Sequence, residues 1–225
     1  MRAASIALFA ALLMSPAAAL AQSSTPGTPV GGPPATLQGA GTGAAAAALT
    51  PADRGWVQRV QDTLNGITTL KARFQQIAPD GRRTSGTAWL DRPGRMRFAY
   101  DKPSPLLLVA GEGKLVFNDS ELKQTTEIPL DKTPLGLLLR PNLSLSGDVT
   151  VTGFRHDNGL VQVTVVRTAT PGDGSLTLIM SEQPLGLRSW RVVDAQGRET
   201  VVDLFDIQLG GALPQNLFDV HIGEQ

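Results

Sequence analysis

The chain has 225 residues, with 20 basic and 20 acidic side chains and no cysteine. The balanced charge contains no basic block suited to nucleic acid. The missing cysteine excludes thiol catalysis, a thiolate metal site and a lipid anchor on an N-terminal cysteine.

Residues 1–21 carry the three regions of a secretory signal. Met1-Arg2 is a short positive start, Ile6 to Met14 is an apolar run, and Ala19-Leu20-Ala21 is a small-x-small cleavage pattern. The run is too short to span a bilayer as a helix, so the expectation is an exported, soluble mature chain. Gln22 to Leu49, containing "SSTPGTPVGGPPATLQGAGTGAAAAAL", is Ser, Thr, Pro, Gly and Ala without charge. Such a stretch cannot offset its own ordering entropy and reads as a flexible tether. An Ala-rich helix near Ala44 to Ala48 and recruitment of a partner are the alternatives. Residues 50–225 suit one domain with a sizeable core.

"TPADRGWVQRVQDTLNGI" predicts a helix, with Thr50 as N-cap, Pro51 at the first helical position and Asp53 near the N-terminus. Trp56, Val60, Leu64 and Ile67 form one apolar stripe, and Asn65-Gly66 ends the helix. From Thr69 the period changes to two. Strands are expected at Thr69–Ala78, Arg83–Asp91, Arg95–Asp101, Pro105–Ala110, Lys114–Asn118 and Leu122–Ile128. After a break come Asp148–Arg155, Leu160–Arg167, Ser175–Ser181, Leu187–Asp194 and Glu199–Leu209. Hairpin-length turns such as Asn158-Gly159 and Gln196-Gly197 separate most of them. About eleven such strands imply one wide antiparallel sheet, and an open twisted sheet of that width curls. Two interruptions are expected to fill its concave face: leucine-rich residues 131–145, and a short turn at residues 213–220.

The residues do not combine into a catalytic constellation. His156 and His221 have no second histidine or paired carboxylates at ligand spacing and read as surface histidines. Gly111, Gly113 and Lys114 precede a strand, not the helix that a phosphate loop needs. "LSLSGD" lacks the first glycine of a nucleophile elbow. Asp203 and Asp206, three apart on a strand, face opposite ways. The reading is a binding protein without an enzymatic step, cofactor or metal. An exported hydrolase with an unrecognised site is the rival from another class.

One arginine breaks the pattern. In "GTAWLDRPGRMRFAY", alternation places Ala88, Leu90 and Arg92 on one face, and Met96, Phe98 and Tyr100 opposite Arg95 and Arg97. Arg92 therefore shares the face of apolar residues, where a guanidinium is costly unless fully bonded. A snorkelling arginine at a hairpin rim is the plain alternative.

The order of motifs is similar to that of the periplasmic lipoprotein carrier LolA family. A Phe-x-Gln strand ("ARFQQ"), a Gly-x-x-Trp-Leu strand reaching Arg-Pro, an aromatic strand ending Tyr-x-x-Pro and a Gly-Lys hairpin follow one another. "LKQTT" and the leucine-rich segment after "PLDKTP" continue the series. The similarity covers roughly residues 52–210, and the Arg92-Pro93 hairpin is its most specific part. It implies a mainly β fold with α elements: an incomplete, half-open antiparallel β-barrel of about eleven strands, with a lid of short helices over an apolar cavity. It also implies a periplasmic protein that takes acylated lipoproteins from an inner-membrane lipoprotein-releasing ABC transporter to an outer-membrane lipoprotein receptor. The absence of cysteine favours the soluble carrier over the acylated receptor of the same fold. A related half-barrel that binds free lipid or glycolipid, or senses lipoproteins, is the alternative. Leu90, Met96, Phe98, Tyr100, Leu107, Leu137 and Leu138 are the expected acyl-chain lining. Arg92 is the expected lid latch, bonded to backbone around Leu135 to Leu139. A monomer is expected. The long tether and the small number of aromatics (7 Phe, 3 Trp, 1 Tyr) depart from the family's usual form.

Overall fold

The computed structural model describes residues 44–219. The expected signal, most of the tether and His221 lie outside the described residues.

Helix α1 spans Pro51–Asn65 and starts as its sequence requires. Thr50 Oγ1 accepts the Asp53 N–H at 3.2 Å, and Asp53 accepts the Thr50 N–H at 2.9 Å, which satisfies two otherwise orphaned donors. Val60, Leu64 and Ile67 are buried in the main core, with Trp56 and Val57 packed at its margin.

The strands are β1 (Thr69–Ile77), β2 (Arg83–Asp91), β3 (Arg95–Tyr100), β4 (Leu106–Gly111), β5 (Lys114–Asp119) and β6 (Gln124–Pro129). They continue with β7 (Val149–Asp157), β8 (Leu160–Arg167), β9 (Gly174–Glu182), β10 (Leu185–Asp194) and β11 (Glu199–Leu209). All belong to one open antiparallel sheet, in the order β6-β5-β4-β3-β2-β1-β11-β10-β9-β8-β7. Two runs of hairpins thus meet where β1 pairs with β11, from Leu70↔Leu209 to Ile77↔Val201. The two free edges, β6 and β7, are consecutive in the chain. The connection between them carries a 3-10 turn (Leu130–Lys132) and α2 (Leu135–Leu138). It therefore joins the two free edges of the sheet. Its Leu135, Leu137, Leu138, Leu139, Leu143 and Leu145 are buried in the same core as α1.

Alternation along the strands supplies the facing surface of that core. Leu70, Ala72 and Phe74 come from β1, Met96, Phe98 and Tyr100 from β3, Val161, Val163 and Val165 from β8, and Leu176, Leu178 and Met180 from β9. Edge strand β6 is almost wholly exposed and polar, which discourages further pairing. Edge strand β7 receives a hydrogen bond from the Ala-rich segment, Ala47 N–H to Val151 O at 2.8 Å.

Two expectations need correction. The C-terminal turn, observed at Gln215–Phe218, does not fill the concave side. It packs on β3 and β4 from outside, where Arg97 donates to the Leu217 carbonyl at 3.1 Å and Arg95 to Gln215 Oε1 at 2.6 Å. Phe218 is buried there, beneath the Arg95 guanidinium. Leu107 likewise faces outward, packed on Val109 and Val116, while Leu108 takes the inward position.

Candidate functional site

The concave floor is aromatic in its centre. Phe74 lies 4.8 Å from Phe98 and 5.2 Å from Tyr100, and Phe98 lies 6.0 Å from Trp190, all between ring centroids. Tilted and edge-on arrangements of this kind are the favoured ones for aromatic pairs. Gly86 makes room for them. A Cβ on this residue would sit 2.2 Å from the Ala99 carbonyl oxygen and 2.6 Å from the Phe74 ring. The Tyr100 hydroxyl donates to Gln76 Oε1 at 2.8 Å, and both residues are buried. Burial pushes the Tyr100 phenol well above its usual pKa. Phe-x-Gln, the Gly-x-x-Trp-Leu glycine and Tyr-x-x-Pro thus meet at one place, joined by the Tyr100–Gln76 hydrogen bond.

Met96, Phe98, Tyr100, Leu137 and Leu138 are buried in this core, and Leu90 packs against it partly buried. The open volume is elsewhere. A cavity of about 410 Å³ lies between the lid and the ends of β8 and β9. Leu130, Leu137, Leu139, Val149, Val165 and Leu176 give it apolar walls, and Asp131, Lys132, Arg140, Arg167 and Asp173 stand among its lining. Of the expected lining residues, Leu137 borders it; Leu90, Met96, Phe98, Tyr100 and Leu138 do not.

Arg92 occupies the junction of three elements. Its Nε donates to the Arg140 carbonyl at 3.1 Å and Nη2 donates to the same oxygen. Nη1 donates to the carbonyls of Leu64 and, at 3.4 Å, Ile67, while Nη2 also reaches Asn65 Oδ1 at 3.3 Å. The lid acceptor is Arg140, one residue beyond the expected Leu135–Leu139, and the C-terminal end of α1 supplies the rest. Burial lowers the pKa of the guanidinium, which still stays charged in a protein. Carbonyls exposed at a helix C-terminus are suitable partners for it. The adjoining turn adds a bond, from Gly94 N–H to the Leu139 carbonyl at 2.9 Å, made from a left-handed φ of 79° that glycine adopts without strain.

Further ties were not foreseen from the sequence. Asn65 donates to the Leu143 carbonyl and accepts the Leu143 N–H, both at 2.9 Å, and Gln61 Oε1 accepts the Leu145 N–H at 2.9 Å. Arg140 pairs with Asp148 at 2.6 Å. On the other side of the lid, Arg167 donates to the carbonyls of Asp131 and Thr133. His156, read as a surface histidine, is 4.4 Å from the Trp56 ring and 3.2 Å from the Glu182 carboxylate, and it fastens α1 to the rim.

The arrangement is an apolar interior under a segment held by polar bonds. Comparison with known proteins agrees with the order of motifs. The family model for "Outer membrane lipoprotein carrier protein LolA" matches residues 65–221. The outer-membrane lipoprotein carrier protein of Pseudomonas aeruginosa PAO1 is 32% identical over 183 residues, covering 76% of this chain and 86% of its own. That of Azotobacter vinelandii is 29% identical over 194 residues, covering 80% and 92%. Among solved structures, a LolA superfamily protein from Nitrosomonas europaea aligns with 72% of this chain and 97% of its own, at 11% identity and a TM-score of 0.40. With a family model matched across the sheet, the lid and the Arg92 hairpin, this chain belongs to the LolA family of outer-membrane lipoprotein carrier proteins.

Proposed function

We propose that the protein is a periplasmic carrier that shields the acyl chains of lipoproteins and moves them from the inner to the outer membrane. In this reading it accepts cargo from an inner-membrane ABC transporter and passes it to an outer-membrane receptor, acts as a monomer, and performs no chemical step. The observation that carries the reading is the apolar interior closed by a segment whose ends are held through hydrogen bonds to backbone carbonyls. Such bonds can be broken and remade without covalent chemistry.

The energetics fit the task. Each acyl methylene withdrawn from a bilayer costs about 0.8 kcal/mol, so the donor must supply work and the carrier must offer an apolar replacement. A carrier that bound chains with full hydrophobic strength would never release them. Here the lid leucines occupy the interior, and a guest must displace them. The net affinity is then the difference between two burials, which keeps hand-over possible. The test is a two-stage assay: release of a lipoprotein from inner-membrane vesicles into a soluble complex with this protein, then incorporation into outer membranes. Failure of release with folded protein would overturn the reading, as would equal competition by free phospholipid or fatty acid.

A further inference from the structure

The lid has a second arginine, on the opposite side from Arg92. Arg167 is the last residue of β8, and its Nη2 donates to the carbonyls of Asp131 and Thr133. Thr133 is the joint of the lid. Its hydroxyl donates to the Leu130 carbonyl at 2.9 Å and accepts the Gly136 N–H at 3.1 Å, and the residue is buried. Gly136 stands so close to the Leu130 carbonyl that a Cβ would approach it to 2.2 Å. The 3-10 turn and α2 are therefore folded tightly on each other as one compact unit.

That unit is attached differently at its two ends. The Arg140 end has Arg92, Gly94, the Arg140–Asp148 pair and the Asn65 and Gln61 bonds just beyond it. The Leu130 end follows directly on β6, paired with β5 as far as Lys114↔Pro129, and has the Leu130 N–H to Gly113 carbonyl bond at 2.8 Å, and Arg167. The cavity runs along the lid from Leu130 to Arg140, and Arg167, Asp131 and Thr133 form part of its wall. We propose that Arg167 is a second positioning residue for the lid, which holds shut the mouth of the cavity against β8 and β9. An acyl chain then enters beneath Asp131–Thr133. That the guest is an acyl chain rests on the carrier reading; the holding role of Arg167 does not.

The test compares hydrogen–deuterium exchange of the full-length protein with Arg167→Leu, which keeps an apolar stem, and Arg167→Lys, which keeps the charge but not the planar fork. Exchange at the Thr133, Gly136 and Leu137 amides should rise about tenfold in Arg167→Leu, the order expected from losing a charge-assisted bond, and less in Arg167→Lys. Leu143 and Leu145 amides should be unchanged. Unchanged exchange at residues 133–137 would overturn the proposal, and so would an equal rise across lid and sheet, which marks plain destabilisation. If Arg167→Leu does not fold, the Lys variant decides by the same amides. Uptake of a fluorescent long-chain fatty acid should be faster in Arg167→Leu than in wild type. Faster exchange without faster uptake would refute the mouth. Absence of uptake by every form would count against the carrier reading, leaving the exchange result to judge Arg167.

Discussion

Arg92 shows how one side chain links sequence oddity to mechanism. Its guanidinium costs desolvation, offset by bonds to carbonyls at and just beyond the end of α1 and at Arg140. Arg92→Leu removes donors from both elements, so the closed lid loses about 1.5–3 kcal/mol, the worth of a hydrogen bond to a charged group. In the two-stage assay, this variant should still take lipoprotein from inner-membrane vesicles but deliver it poorly, because the lid no longer competes with the guest. Wild-type rates at both stages would reduce Arg92 to a structural tie. Phe98 tests the floor: it packs between Phe74 and Trp190 with 3% exposure. Phe98→Glu should abolish acceptance if the protein stays folded, since a carboxylate there has no partner. Full transfer by a folded variant would remove the floor from the site.

At the level of elements, the connection between β6 and β7 does work that no single residue does. It ties the free edges of the sheet and fills the interior, so lid and core are the same segment. The Ala-rich segment before α1 has a different part. Composition predicts that residues 22–49 are dispensable for folding, whereas Ala47 bonds to Val151 on edge strand β7 and the Leu49 carbonyl accepts from Arg54. Deleting 22–43 should leave the melting temperature within about 1–2 °C, on the scale of neutral surface changes. Extending the deletion through 49 should lower it further and increase aggregation, because the β7 edge is uncovered. Thermal scans and light scattering on the two deletions check this. Equal behaviour would show that the Ala47 contact contributes nothing.

At the scale of the whole molecule, Tyr100 is a convenient reporter because it is the only tyrosine in the chain. Its pKa is raised by burial in the folded state, so the unfolded chain gives up this proton first. The contribution is intact below the ordinary phenol value of about 10 and is lost as pH rises beyond it, because ionisation then favours the unfolded state. Tyrosinate absorbance should therefore appear together with loss of far-ultraviolet strand signal in an alkaline titration. Absorbance developing near the ordinary value in a folded protein would contradict the buried Tyr100–Gln76 pair. The strand periods, the capped helix and the unusual place of Arg92 were legible in the sequence because each is local: alternation, capping chemistry and turn residues act within a few positions. Leu107 was misassigned because β4 is buried on both faces, and a continuous apolar run has no alternation to read. Trp190 was missed for the opposite reason. A bulge between Leu187 and Ser189 shifts the register, so simple parity points its ring outward. Asn65, Gln61 and Arg167 carry no local signal, since their partners lie 78, 84 and up to 36 positions away. The succession of strands and the leucine-rich interruption followed from short-range chemistry, and the lid came with the family resemblance. The position of the cavity and the bonds that close it were decided only by tertiary packing, which sets the lid segment against Arg92 on one side and Arg167 on the other.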